Sequence, residues 1–120
     1  MALRLSWYQK RAKGKLHDGE QVVAGIHAHT SFLMMMVVPD MFQPFIGRHV
    51  LVTNERTLVF GPAMRSIVAE YPRGQANASR TKFHLTVGPD RMFVGGMFGR
   101  MRKIADQVID AANSPAGTAV

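Results

Sequence analysis

Two apolar segments joined by a polar turn, within residues 48–60, constrain the fold of this 120-residue chain more than any other stretch. The apolar runs Val50–Val52 and Leu58–Phe60 flank the turn-forming sequence TNER at 53–56. Valine, leucine and phenylalanine favour a pleated surface, and asparagine tolerates the left-handed backbone that tight connections need. The stretch therefore predicts a β-hairpin with a four-residue connection. Because both strands are apolar on both faces, they are predicted to lie in the middle of a sheet.

Three further segments alternate between apolar and polar residues with the period of two that is typical of half-buried strands. They cover residues 21–29, 65–71 and 82–87, and a fourth short strand is predicted at Met92–Val94. The polar segment 72–80 is predicted to be a loop. Val22, Ala24, Ile26 and Ala28 share one face of the first segment, of which one face is expected to be buried, and Phe83, Leu85 and Val87 are expected to face inward. Ile67, Ala69 and Tyr71 share one face of the middle segment.

After Met97 the apolar residues recur at spacings of three and four, which predicts an amphipathic helix over residues 99–112. Ile104, Val108 and Ile109 are expected to be its buried side chains. The predicted fold class is therefore mainly β with one C-terminal α-helix. We expect a bent antiparallel sheet or open barrel that this helix caps.

Positive charge is concentrated at the amino-terminal end of the chain. The whole chain has a net charge of +7, and residues 1–15 contribute +5 of it without any acidic residue. The predicted organisation is a basic arm at 1–17, a folded domain at 18–113 and a flexible tail at 114–120. A short helix is predicted in the arm. Contact with a membrane or another polyanion is assigned to Arg4, Trp7, Lys10, Arg11, Lys13 and Lys15. The alternative that stays open is a solvated leader whose Trp7 docks on the folded domain.

Residues 30–47, TSFLMMMVVPDMFQPFIG, form an unusually apolar segment that is too short and too interrupted by proline to span a bilayer. One interpretation is a buried strand at Phe32–Val38 followed by a packed loop. The other is an exposed apolar loop that contacts a second chain or a lipid surface. Self-association or lipid contact is assigned to Phe32, Met34, Met35, Met36, Met41, Phe42 and Phe45.

His27 and His29 share one face of the first predicted strand, with the spacing that a strand-borne metal pair would use. Zinc sites normally need three or four protein ligands, and no carboxylate or third histidine lies nearby in the sequence. The pair is therefore predicted to face solvent and to bind no metal. Four later basic residues are interpreted as scattered solubilising charges: Arg73, Arg80, Lys82 and Arg91.

Catalytic signatures are absent from the sequence. The chain has no cysteine, no phosphate-binding loop with its lysine, and no metalloprotease or nucleophile-elbow motif. The glycines before the helix, Gly95 and Gly96, are predicted to bend the backbone rather than to hold a phosphate. No enzymatic activity, no cofactor and no small-molecule substrate are predicted. No signal peptide is predicted either, and the expected location is the cytoplasm or the inner face of the membrane.

The sequence resembles the bacterial PH-like proteins, in which a bent sheet of pleckstrin-homology type is closed by a C-terminal helix. The resemblance covers about residues 18–112 and rests on DGEQV (18–22), the hairpin at 49–60, the alternating strand at 83–87 and the closing helix. In that family the hairpin turn reads Thr-Asp/Asn-x-Arg, and the turn at 53–56 fits this pattern.

The resemblance implies a noncatalytic module that sometimes self-assembles and is often associated with membranes. Phosphoinositide-binding relatives carry closely spaced basic residues in the first hairpin, whereas this chain has none between Gln21 and Gly47. The expected function is a binding or scaffold module that forms a homo-oligomer or docks at an anionic membrane. The alternative is a nucleic-acid-binding protein that uses the basic arm. This alternative is less favoured because the predicted strands show no row of exposed aromatic residues with basic neighbours.

Overall fold

The computed structural model describes residues 5–30, 32–94 and 99–115. The elements, in chain order, are α1 (Leu5–Ala12), β1 (Val22–Ala28), α2 (Phe32–Val37), β2 (Arg48–Thr53), β3 (Arg56–Phe60), β4 (Ile67–Pro72), β5 (Ser79–Arg80), β6 (His84–Val87), β7 (Asp90–Phe93) and α3 (Gly99–Asn113). Short 3-10 turns cover Lys13–Lys15, Asp40–Phe45 and Pro62–Met64. The prediction of a mainly β fold with a C-terminal helix is confirmed.

The strands form two antiparallel sheets, with the orders β1-β2-β3-β4 and β5-β6-β7. The sheets meet where His29 and Phe93 exchange two backbone hydrogen bonds of 2.7 Å. The predicted hairpin is β2 and β3, and these are the two central strands of the larger sheet. Val52 and Thr57 are the last paired residues of the hairpin. Because Thr53 ends β2 and Arg56 begins β3, only Asn54 and Glu55 lie between the strands, so the connection is shorter than the predicted four residues.

The main hydrophobic core lies between the inner faces of the sheets and α3. The helix contributes mostly small side chains to it, and Ala105, Val108, Ala111 and Ala112 are its buried residues. Small residues let the helix axis approach the strands closely, so its larger side chains lie at the margin of the contact. Ile104 and Ile109 are accordingly only partly buried, which corrects the prediction that both are core residues. Phe83, predicted to face inward, precedes β6 and is 41% exposed.

A second hydrophobic cluster lies on the outer face of the larger sheet, beneath α1. It contains Tyr8 and Ala12 of the helix with Leu51, Leu58, Phe60 and Met64 of the sheet and the following turn. The predicted N-terminal helix is therefore present, with Gly14 just after its end, but it is docked rather than solvated along its length. Both faces of the central strands are covered, which explains why those strands are apolar on both sides.

Residues 32–38 are not the buried strand of the first interpretation. They begin with α2, and the side chains of Leu33, Met36 and Val37 are exposed. Leucine and methionine have high helix propensity, and the residue before Pro39 is disfavoured in a helix, so α2 ends at Val37. The predicted loop at 72–80 also ends in a short strand, β5.

A buried ion pair joins the segment before β1 to the hairpin turn. Arg56 donates from Nε to Glu20 Oε2 at 2.8 Å and from Nη2 to Glu20 Oε1 at 3.0 Å. The Thr53 hydroxyl donates to the same carboxylate at 2.6 Å and accepts the backbone N–H of Arg56 at 3.1 Å. Arg56 also reaches Glu70 on β4 at 2.7 Å. The turn is therefore fixed by the side chains that the TNER sequence supplies.

Acid should weaken the fold through Glu20. Burial alone would raise the pKa of Glu20, but hydrogen bonds from Arg56, Thr53 and the His17 backbone outweigh it and lower the pKa from 4.5 to about 2. Because the folded-state pKa lies below the ordinary value, the carboxylate stabilises the fold above about pH 4.5, and this contribution is lost as the pH falls to about 2. Denaturant unfolding across this range should show the loss, and Glu20→Gln should show a shallower dependence on pH. An equal acid dependence in both proteins would contradict the assignment.

Candidate functional site

Exposed apolar side chains are concentrated in residues 33–45. Six of the nine large apolar side chains that are exposed in the described part of the chain lie here, with exposed fractions from 47% to 73%. We call this set the apolar ridge: Leu33, Met36, Val37, Met41, Phe42 and Phe45. The side chains of Phe32, Met34 and Met35, which the sequence also assigns to this contact, lie outside the described part of the structure.

The basic side chains of α1 and its following turn are exposed, and one of them, Arg11, contacts the ridge. We call Lys10, Arg11 and Lys13 the basic shoulder, and all three are exposed. The guanidinium carbon of Arg11 lies 5.8 Å from the ring centroid of Phe45 and 6.0 Å from that of Trp7. Both distances fall within the range of cation–π contacts. Arg11 therefore joins the two halves of the predicted site into one surface.

The remaining predicted contact residues of the arm are placed differently. Trp7 and Lys15 are half-buried, and Arg4 lies outside the described residues. The Trp7 ring packs edge-on against Tyr8, with centroids 5.4 Å apart, and tilted against His49 at 5.8 Å. Trp7 thus contacts the folded domain and Arg11 at the same time. The alternative prediction, that Trp7 docks on the folded domain, describes this side chain correctly. Tyr8 and Ala12 are nevertheless more deeply buried than Trp7.

Three imidazoles lie in contact beneath the end of the segment that carries the ridge: His27 is stacked on His49 and packs edge-on against His29. His27 and His29 on β1 and His49 on β2 are 4%, 6% and 0% exposed, so the prediction that the first two face solvent is wrong. The His27 ring centroid lies 4.5 Å from those of His29 and His49. We call these residues the histidine row. His49 was missed because it pairs with His27 across two strands, which only the sheet register brings together.

The row is tied to both neighbouring segments by hydrogen-bond contacts. Nε2 of His27 donates to the carbonyl oxygen of Ile46 at 2.7 Å. Nδ1 of His49 lies 3.3 Å from the Tyr8 hydroxyl on α1. Nδ1 of His29 is buried and has no hydrogen-bond partner among the described atoms. The row therefore links the end of the apolar segment to the docked helix.

Burial keeps the two β1 histidines neutral. Desolvation lowers the pKa of His27, and the bond to Ile46 offsets this only in part. Desolvation, followed by the nearby His27, lowers the pKa of His29 to about 4. Both rings are therefore uncharged near neutral pH.

The geometry of the row does not favour a metal ion. The rings of His27 and His49 are within 28° of parallel, so their in-plane lone pairs do not converge on one point. Among the described residues, a different set brings three donors within 4.8 Å: His17, Glu20 and Glu55. Both Glu20 oxygens already accept hydrogen bonds from Arg56, so a cation would have to displace that side chain. The absence of a functional metal site stays a prediction.

The four basic residues interpreted as scattered charges do not form one patch. Arg73 is buried and donates to the carbonyl of Ala111 near the end of α3 at 3.1 Å, so it is not a solvated charge. Arg80 pairs with Asp106 at 2.6 Å, while Lys82 and Arg91 are exposed. The predicted bend at Gly95 and Gly96 lies outside the described residues.

The candidate site is therefore the apolar ridge, the basic shoulder and the histidine row beneath them. In the described ranges, no helix combines the length and the hydrophobicity that crossing a membrane requires. Comparisons with protein-family models, curated proteins and solved structures found no match to this chain.

Proposed function

We propose that this protein is a noncatalytic PH-like module that docks at an anionic membrane surface, at the cytoplasmic face, through the apolar ridge and the basic shoulder. The observation that carries the proposal is the position of Arg11, in contact with both Trp7 and Phe45. This contact supports a surface on which an exposed cation stands next to exposed apolar side chains. Such a surface matches a membrane interface, where acyl chains lie directly below acidic headgroups.

The PH-like part of the proposal is supported by a contact between the two motifs that carry the resemblance. Glu20, from the DGEQV sequence, forms the buried pair with Arg56 from the hairpin turn. Each motif therefore has a structural role that depends on the other. The order of strands followed by a single closing helix is also consistent with that family.

Each half of the site contributes a different kind of attraction. Basic residues near an anionic leaflet contribute about 1 kcal/mol each, and salt screens this attraction. The ridge adds burial of apolar area at the boundary between headgroups and acyl chains, which salt does not screen. Membrane binding that needs both halves should therefore weaken with salt without vanishing.

Self-association through the ridge is the second candidate. Six large exposed apolar side chains within residues 33–45 favour an interaction surface, because monomers rarely leave large apolar patches uncovered. A two-fold contact centred on the ridge, however, would bring Arg11 of both copies to the same interface, because Arg11 contacts Phe45. Like charges that meet in this way oppose association. An anionic partner avoids the repulsion, so the membrane is favoured.

Binding to lipid vesicles tests the proposal. The wild type should bind phosphatidylglycerol vesicles and bind phosphatidylcholine vesicles at least about tenfold more weakly, as expected from about 1 kcal/mol for each basic residue. Met41→Ser with Phe42→Ser, and separately Lys10→Glu with Lys13→Glu, should each weaken binding by about tenfold or more. Matched controls on or beside β4, Val68→Ser and Arg65→Glu, should change it by no more than about twofold.

Three results would contradict the proposal. Vesicle binding that is absent, or equal for charged and neutral lipids, would remove the membrane as the partner. Mass by light scattering that shows an oligomer lost in the Met41 and Phe42 variant would favour self-association. Tighter binding to single-stranded DNA than to anionic vesicles would favour the nucleic-acid alternative.

A further inference from the structure

The same two residues cover both β1 histidines. Ile46 accepts the hydrogen bond from Nε2 of His27. Gly47 lies over His29, because a Cβ built on this glycine would stand 3.3 Å from Nδ1 of that ring. Gly47 has a φ of +74°, which favours glycine, and an added Cβ would also overlap the carbonyl oxygen of Ala28. Residues 46–47 are the carboxyl-terminal end of the segment that carries the apolar ridge.

The cover over His29 leaves open space on one side of the ring. A cavity of about 210 Å³ adjoins this ring and is lined by Thr30, Ile46, Gly47, Arg48 and Pro62. Nδ1 of His29 is buried without a described hydrogen-bond partner. If the cover moved away, this nitrogen could form a hydrogen bond with water. Both features favour movement of residues 46–47 over movement of the paired strands below them.

The charged and titratable groups around these two rings come from several elements. On β1 the two rings make an edge-on contact, with centroids 4.5 Å apart. On β2, His49 stacks on His27. Arg48, also on β2, lines the cavity beside His29. The docked helix adds Tyr8, at His49, and Arg11, which lies over Trp7.

The covering residues contribute no charge of their own. Residues 46–47 present backbone, the Pro62 turn presents an apolar ring, and β7 reaches His29 through the backbone of Phe93. A proton on His27 would therefore lie next to a second histidine that also takes up protons. Two protons would place like charges side by side in a site shielded from water.

Protonation favours the uncovered state. Once residues 46–47 move away, both histidines return towards the ordinary pKa of 6.5, whereas under cover burial holds the pKa of His29 at about 4. Because the covered pKa lies below the uncovered one, the covered state is favoured above about pH 6.5. Its advantage is lost as the pH falls from 6.5 towards 4.

We propose that the histidine row is an acid-sensitive switch: protonation of His27 and His29 displaces residues 46–47 and frees the segment that carries the exposed apolar ridge to insert more deeply into an anionic membrane. The inference rests on the proposed function for its consequence and on the described geometry for its mechanism. The switch responds to proton concentration, and the segment that moves is the one that ends at Gly47.

Nuclear magnetic resonance tests the mechanism without any lipid. The imidazole signals of His27 and His29 should titrate below the ordinary pKa of 6.5, and the amide signals of Ile46 and Gly47 should move with the same midpoint. The exposed His17 provides the comparison within the same sample. Circular dichroism should show that the strands remain folded at that midpoint. Amide signals that do not follow the histidines, or global unfolding at the same pH, would overturn the switch.

Vesicle binding tests the consequence. Between about pH 7 and about pH 5, affinity for phosphatidylglycerol vesicles should rise at least roughly tenfold, since one unit of pKa difference corresponds to a factor of ten. His27→Gln with His29→Gln keeps an amide donor but cannot take up a proton, and its affinity should stay within about twofold over the same range. The matched control, His17→Gln with His84→Gln, should retain the rise.

The two proposals fail in different ways. Vesicle binding that is strong but independent of pH, or that rises equally in the double variant at 27 and 29, would overturn the switch and leave the membrane site intact. No vesicle binding at any pH, together with coupled histidine and Ile46 signals, would overturn the membrane site and leave the switch.

Discussion

Replacing Arg56 with alanine is expected to lower the free energy of unfolding by about 3–5 kcal/mol, the usual effect of removing one partner of a buried ion pair. The carboxylate of Glu20, which accepts two hydrogen bonds from this guanidinium, would remain buried with its charge uncompensated. The variant would also lose the contacts to Glu70 and to the Lys15 carbonyl. Chemical denaturation at neutral pH measures the change directly.

A matched control shows how much of the stability loss comes from the burial of the pair rather than from loss of an ion pair alone. Arg80 makes an even shorter contact with Asp106, 2.6 Å, but that pair lies at the surface. Arg80→Ala should therefore destabilise the fold far less than Arg56→Ala, because water screens an exposed ion pair. Arg56→Lys should fall between the two, because a lysine keeps the charge without the two-pronged geometry. Equal losses for the alanine variants at 56 and 80 would contradict the role of the buried pair.

The hairpin and the closing helix could be predicted because their signals are local. The apolar runs on either side of TNER predict both strands and the turn between them. The change of period after Met97 predicts the helix. Ile104 shows the limit of such a pattern. Its spacing places it on the apolar face, but the alanines beside it make the closest contact with the sheet. The pattern therefore identifies the face of a helix better than the depth of each residue.

The segment at 32–38 shows where periodicity carries no information. An unbroken apolar run has neither the period of a strand nor that of a helix, so it fits both. Helix propensity and the proline that follows favour α2 locally. The exposure of α2 depends on which other segments cover the outer face of the larger sheet. In the structure, α1 and residues 46–47 cover it. The positions of these two covering segments cannot be predicted from the apolar run itself.

The histidine row and the docking of α1 depend on contacts between distant parts of the chain. His27 meets His49 through the register of β1 and β2, and both lie beneath residues that the sequence does not mark as a cover. The exposed cations and apolar residues of the candidate site were predicted as two separate sets. Their union through Arg11 follows only from the position of α1 on the sheet.

The second large effect is expected from Tyr8→Ala, which should lower the free energy of unfolding by about 3–5 kcal/mol, as for other large buried aromatic residues. Tyr8 is fully buried, and its ring stands directly on Gly25 of β1, where an added Cβ would lie 2.8 Å from Cδ2. Burial raises the pKa of its hydroxyl, which lies 3.3 Å from Nδ1 of His49. Alanine would leave a cavity between α1 and the sheet that neither element can close.

Two companion variants identify what the ring contributes. Tyr8→Phe removes only the hydroxyl and should cost about 0.5–1.5 kcal/mol, the usual value of one hydrogen bond. Leu5→Ala, on an exposed position of the same helix, should change stability by no more than about 0.5 kcal/mol. If Tyr8→Ala proved as mild as Leu5→Ala, residues 1–17 would be a detachable arm. A large loss would instead make α1 part of the folded domain, and the basic shoulder would then have a fixed position beside the ridge.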